Sequence, residues 1–169
     1  GADIVVLAMP LHRFLRMDAN DLSGKLVIDA MNYWPPTDGT LALSFDDQDI
    51  GTSEVVAERL NNAAVVKTLN HVGYHELESY ARPHGFVDRR ALGVAGDDSD
   101  AVATISAFID RIGYDAVPVG PLNAGRVLQP GGAVFGAVLR REEFERAVDN
   151  YSLEQGALSL AKQHYRRSA

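Results

Sequence analysis

The sequence predicts an α/β fold, a parallel β-sheet followed by a helical C-terminal segment. Three observations predict it. Five short apolar runs are rich in β-branched residues and mostly lack the alternation of a half-exposed strand, as strands covered on both faces do. Helical periodicity recurs between several of the runs. Most of the runs also end in polar, proline- or glycine-bearing exits, the places where open α/β sheets bind ligands.

The first run is Ile4 to Ala8, leading into Met9-Pro10-Leu11-His12. A strand buried on both faces needs a neighbour on each side, so this one is expected to pair with a segment before Gly1 or on another chain. The second run, Leu26-Val27-Ile28-Asp29-Ala30, follows the turn signal Ser23-Gly24-Lys25 and leads into Met31-Asn32-Tyr33-Trp34-Pro35. The stretch 35–50 reads as a surface insertion over a cleft: Pro35-Pro36-Thr37-Asp38-Gly39 is turn-rich and Asp46-Asp47-Gln48-Asp49 is acidic. Thr52 or Ser53 is expected to cap a helix running to about Asn61, with Val55, Val56 and Leu60 on its apolar side.

The third run is Ala64-Val65-Val66-Lys67-Thr68-Leu69, ending in Asn70-His71-Val72-Gly73. The fourth is Ala91 to Ala95. Asp98 or Ser99 is expected to cap the helix that follows, where Val102, Ile105, Ile109 and Ile112 recur on one side and Gly113 stops it. The fifth run is Tyr114 to Val119, followed by Gly120-Pro121-Leu122. From Asn123 onward the pattern is helical, with a break expected at Pro130-Gly131-Gly132. A last helix is expected over Glu154 to Arg167, its basic end complementing the helix dipole.

Composition narrows the function. The chain has no cysteine, which excludes disulfides, thiolate catalysis and cysteine metal sites. A net charge of −7 and no dominant Lys/Arg block argue against nucleic acid as a partner. No apolar run approaches the ~18 residues of a bilayer span, so no membrane partner and a cytoplasmic setting are expected. Gly-x-Gly-x-x-Gly, the Walker lysine motif and Gly-x-Ser-x-Gly do not occur.

The candidate site residues sit at the run exits. Pro10 fixes a rigid backbone suited to packing on a flat ring, and His12 follows it. Asn32 offers a donor and an acceptor to orient a carboxamide or heterocycle. Asn70 and His71 offer hydrogen bonds at the third exit, and Arg126 offers a cation to an acidic substrate group. His71 and His75 stand four apart with Glu76 beside them, but this is not the His-Glu-x-x-His arrangement, and no metal site is assigned. Asp97 and Asp98 read as turn and cap rather than as an acid/base pair.

In order and spacing, the segments Ala2 to Pro10, Gly24 to Asn32, Gly51-Thr52-Ser53, Val65 to Gly73, Ala95-Gly96-Asp97-Asp98 and Gly120-Pro121-Leu122 resemble the NADPH-dependent reductases of coenzyme F420, the F420:NADP oxidoreductases. The resemblance covers most of residues 2–140. It implies that residues 1–122 form the C-terminal part of a Rossmann-like NADP-binding domain, without the N-terminal glycine-rich half, and that 123–169 form a helical substrate-side and packing segment. The implied cofactors are NADP and coenzyme F420. Met9, Pro10, Asn32, Asn70, His71, Val72 and Gly73 would lie near the two stacked rings, with His12 and Arg126 completing the candidate set. The implied reaction is direct hydride transfer between nicotinamide and deazaflavin, which needs no catalytic side chain; without the glycine-rich turn these residues are not expected to hold NADP firmly by themselves. The implied partners are the small-molecule cofactor and substrate, and a second copy or a complementing N-terminal segment. The alternatives are an NADP-dependent dehydrogenase acting on another small substrate and a non-catalytic Rossmann-like oligomerisation protein.

Overall fold

A computed structural model of the chain describes residues 2–40 and 50–168. Five strands form one sheet in sequence order: β1 (Ile4–Leu7), β2 (Leu26–Asp29), β3 (Ala64–Lys67), β4 (Ala91–Gly96) and β5 (Asp115–Gly120). The helices are α1 (Leu11–Phe14), α2 (Pro35–Asp38), α3 (Thr52–Arg59), α4 (Tyr74–Ser79), α5 (Ser99–Arg111) and α6 (Arg141–Ser168). All five apolar runs of the sequence become strands. Among the described residues no helix is long and apolar enough to cross a membrane.

The sheet is mixed and mostly parallel. β1–β2, β2–β3 and β4–β5 are parallel, but β3 and β4 pair antiparallel, Val66 with Gly96 and Lys67 with Ala95. The all-parallel reading therefore fails at this one junction. A parallel crossover must carry the chain back across the sheet, usually on a long helix. The connection between β3 and β4 holds only the six-residue α4, and β4 enters the sheet from the carboxyl edge of β3.

Packing follows the two faces of the strands. Val27 and Val65 point to one side, where Leu7, Leu11, Phe14, Met31, Val56 and Leu60 join them under α1 and α3. Ile28 and Val66 point to the other side and meet Ile105 and Ile109 of α5. A third cluster, Ala91, Val117, Leu128 and Phe144, seats α6 beside β4 and β5. The period-two split is what a strand buried on both faces requires.

Several local expectations are corrected. Asp98 caps α5 as expected, accepting from the amides of Asp100 and Ala101. The α3 cap is instead Gly51, whose amide is answered by Glu54; Thr52 and Ser53 are buried inside the first turn. The turn-rich Pro35 stretch forms the short helix α2, and its Asp38 is buried rather than exposed. The acidic run Asp46-Asp47-Gln48-Asp49 lies outside the described residues. Leu122–Leu128 forms a 3-10 turn, and the chain breaks around Pro130-Gly131-Gly132 before a single helix begins at Arg141, thirteen residues ahead of the expected Glu154. Nothing between Arg141 and Glu154 interrupts a helix, so the two expected pieces are one.

Candidate functional site

The exits of β1, β2 and β3 open on one edge of the sheet, because these strands run parallel. Along that edge Met9, Pro10 and His12 follow β1, Asn32 follows β2 and the loop Asn70-His71-Val72-Gly73 follows β3. The exits of β4 and β5 point the opposite way, since β4 runs antiparallel to β3.

Beneath the edge lies an ion pair that sequence reasoning passed over. Register places Asp29 and Lys67 side by side on neighbouring strands. Both side chains are fully buried, with Lys67 Nζ 3.2 Å from Asp29 Oδ2. Lys67 also donates to the Met31 carbonyl, and Ser53 Oγ donates to Asp29 Oδ2 at 2.6 Å. Burial pushes the Lys67 ammonium below its ordinary range, against the pull of the Asp29 charge. The signal was present in the sequence: opposite charges closing two otherwise apolar runs.

Above this pair, Asn32 and Asn70 clasp the β2 and β3 exits together. Asn32 Nδ2 donates to the Asn70 carbonyl at 2.7 Å, and Asn70 Nδ2 donates to Asn32 Oδ1 at 2.9 Å. Asn70 Nδ2 also donates to the Leu128 carbonyl at 2.6 Å, tying in the 3-10 turn. Leu69 supports this turn at φ 64°, a left-handed conformation that costs a non-glycine residue of order 1 kcal/mol or more.

His71 is buried and bridges two strands' worth of structure. Its Nε2 accepts the Gly93 amide at 3.1 Å, so the proton belongs on Nδ1, which faces Asn70 Oδ1 at 3.4 Å. Burial, and secondly the Lys67 charge, lower its pKa to about 3. At neutral pH it is an uncharged imidazole with both nitrogens engaged inside the protein.

Six backbone amides in the turns at this edge, those of His12, Met31, Trp34, Gly51, Thr52 and Gly73, donate to side-chain oxygens. Asp38 accepts from the amides of His12 and Trp34 at 2.9 and 2.8 Å, and from His12 Nδ1 at 2.9 Å. Asp29 Oδ1 accepts the Met31 amide at 2.9 Å. Glu54 accepts the Gly51 amide, and Gln129 Oε1 accepts both the amide and the hydroxyl of Thr52 at 2.8 Å. Glu76 accepts the Gly73 amide at 3.3 Å. A phosphate needs such amides free and meets carboxylates here instead.

The structure separates the predicted residues into groups. Asn32, Asn70 and His71 form one connected network. His12 is held by Asp38 on the β1 side, Val72 packs on the α5-side core, and Gly73 precedes α4. Arg126 faces α3 instead: its Nε lies 4.0 Å from Glu54 Oε2 and is buried without a hydrogen bond.

The fold is shared with solved structures. A protein from Arthrobacter sp. FB24 named "putative f420 dependent nadp-reductase" aligns with a TM-score of 0.61 and 24% identity, over 74% of this chain and 58% of its own. A hypothetical protein from Sinorhizobium meliloti aligns with a TM-score of 0.68 and 27% identity, over 83% of this chain and 67% of its own. The chain thus spans less than two thirds of the Arthrobacter protein's length. No family model matches the sequence, and no curated protein matches it. The sheet, its flanking helices and these alignments together identify a partial Rossmann-like α/β fold.

Proposed function

We propose that this Rossmann-like chain serves an oxidoreductase that transfers a hydride between NADP(H) and coenzyme F420, with the β1–β3 edge receiving the reacting rings. One observation carries the reading. Three parallel strand exits share one sheet edge, where the His12 and Met31 amides are taken up by carboxylates and the neutral Asn32–Asn70 clasp stands between apolar neighbours. The name of the Arthrobacter protein supports the same chemistry.

When bound, the nicotinamide and deazaflavin rings supply the redox chemistry themselves. The chain's part is to bind, orient and keep out water. Met9 and Pro10 would form one wall and Val72 and Gly73 another. The Asn32 amide would set ring orientation, while Asn70 and neutral His71 hold Asn32 and the β3 exit in place. His12, fixed by Asp38, would bound the site, and Arg126 would meet an acidic group of the substrate. The nucleotide phosphates would lie away from these turns. We extend the reading to residues 123–169 as the substrate-side segment.

The test is direct. The purified chain is titrated with F420 while deazaflavin fluorescence is followed, and NADPH is then added. Saturable binding and NADPH-dependent bleaching of F420 are expected. NADPH oxidation with another small acceptor and none with F420 would replace this reading by a dehydrogenase of different specificity. No binding of either coenzyme would refute it.

A further inference from the structure

Residues from the loop 80–90 and from the turn into α6 line a cavity of about 460 Å³ beside the start of β4. That is the size of a small-molecule site. None of its lining residues belongs to the Asn32, Asn70 and His71 network. Arg90 lines this space although it is only 8% exposed. Its Cζ lies 3.5 Å over the Tyr80 ring. Such a contact satisfies the face of a guanidinium and not the N–H groups in its plane. Among the described residues Arg90 makes no side-chain hydrogen bond; Glu76 Oε1 stands 3.6 Å from Nη1. Arg89, also buried, shows the contrast: it donates to the carboxylates of Asp110 and Asp115 and to the Arg82 and Asp110 carbonyls. A nearly buried guanidinium left without acceptors is costly.

We propose that this cavity binds a small aryl carboxylate, its head group accepting paired hydrogen bonds from Arg90 and its ring lying among Tyr80, Phe86 and Val138. Arg82 adds a second cation. Its Nη1 is spent on the Ser79 and Ala81 carbonyls, and among the described residues it forms no ion pair. Phe86 and Val138 line the cavity while 51% and 57% exposed, so a ring there would cover apolar surface that water now meets. The head group is a single, planar negative charge. Glu76 already shares Arg90, and Asp88 and Glu143 also line the cavity. Glu143 is held by Arg140 at 3.0 Å, and the Asp88 charge acts on Arg140 too. A dianion would meet these carboxylates, whereas a carboxylate matches the planar fork with one charge. This site does not rest on the hydride-transfer reading.

Fluorine NMR of fluorobenzoate added to the full chain tests it. Saturable broadening that benzoate reverses is expected. Benzamide, which keeps the ring and loses the charge, and phenyl phosphate, which doubles it, should each compete about tenfold more weakly than benzoate or worse. Arg90→Gln should weaken fluorobenzoate binding by about tenfold or more, and Phe86→Ala by about threefold. Circular dichroism checks folding. Phe86 is half exposed, so F86A decides the point even where R90Q disturbs the fold. No saturable binding into the millimolar range, benzamide or phenyl phosphate competing as well as benzoate, or binding unchanged in a folded R90Q or in F86A would each overturn the proposal.

Discussion

Asn32 and Asn70 exchange hydrogen bonds across two strand exits, each side chain donating to the other residue at 2.7 and 2.9 Å. The clasp holds β2 to β3 just where the parallel ladder ends, and the Leu128 carbonyl extends it to the 3-10 turn. Asn70→Ala removes both Nδ2 bonds at a buried position and should cost about 1–3 kcal/mol in urea unfolding. On the proposed function it should slow hydride transfer more than it weakens NADPH binding. Turnover equal to that of the unmodified chain would remove Asn70 from the site.

The Lys67–Asp29 pair makes a different prediction. Lys67→Met strands a carboxylate that has no access to water, and breaking a buried pair on one side costs about 3–5 kcal/mol. Adding Asp29→Asn removes the stranded charge. The double variant should therefore recover much of the loss, which a double-mutant cycle in urea would measure. A single variant as stable as the parent would mean the pair is not buried as described.

His71 sets a pH dependence. Its pKa falls from 6.5 to about 3 on folding, so between those values the unfolded chain takes up a proton that the folded chain refuses. The contribution is complete above pH 6.5 and is lost as pH falls toward 3, on the order of 5 kcal/mol in all. Urea midpoints should drop between about pH 6.5 and about pH 5, above the range where carboxylates protonate. His71→Gln should flatten that slope. A parent midpoint independent of pH over this window would contradict a neutral, buried His71.

Asp38 joins α2 to the start of α1 through two bonds from His12 and closes the first turn of α2 through a third from the Trp34 amide. These bonds hold its carboxyl below the usual carboxylate range despite the opposing cost of burial. Asp38→Ala should expose the His12 and Trp34 amides to faster hydrogen exchange and leave β4, β5 and α5 unaffected. Uniform acceleration across the chain would show instead that Asp38 supports the whole fold.

Sequence alone determined the strands, α5 with its Asp98 cap, and the polar exits. Each of these depends on neighbours in the chain: a strand covered on both faces must be apolar at nearly every position, and a cap lies beside the amides it satisfies. Tertiary structure decided the rest. Asp29 and Lys67 are unremarkable until register sets them side by side. Gln129 reaches Thr52 from 77 positions away, and Asp38 meets His12 from 26 positions away. The reversal of β4 against β3 is likewise a matter of how the strands pair, Val66 with Gly96 and Lys67 with Ala95. Local periodicity states which face of an element is apolar. Which elements meet, and with what offset, is set by packing between distant segments, and it is that packing that gathers Asn32, Asn70 and His71 over one buried ion pair.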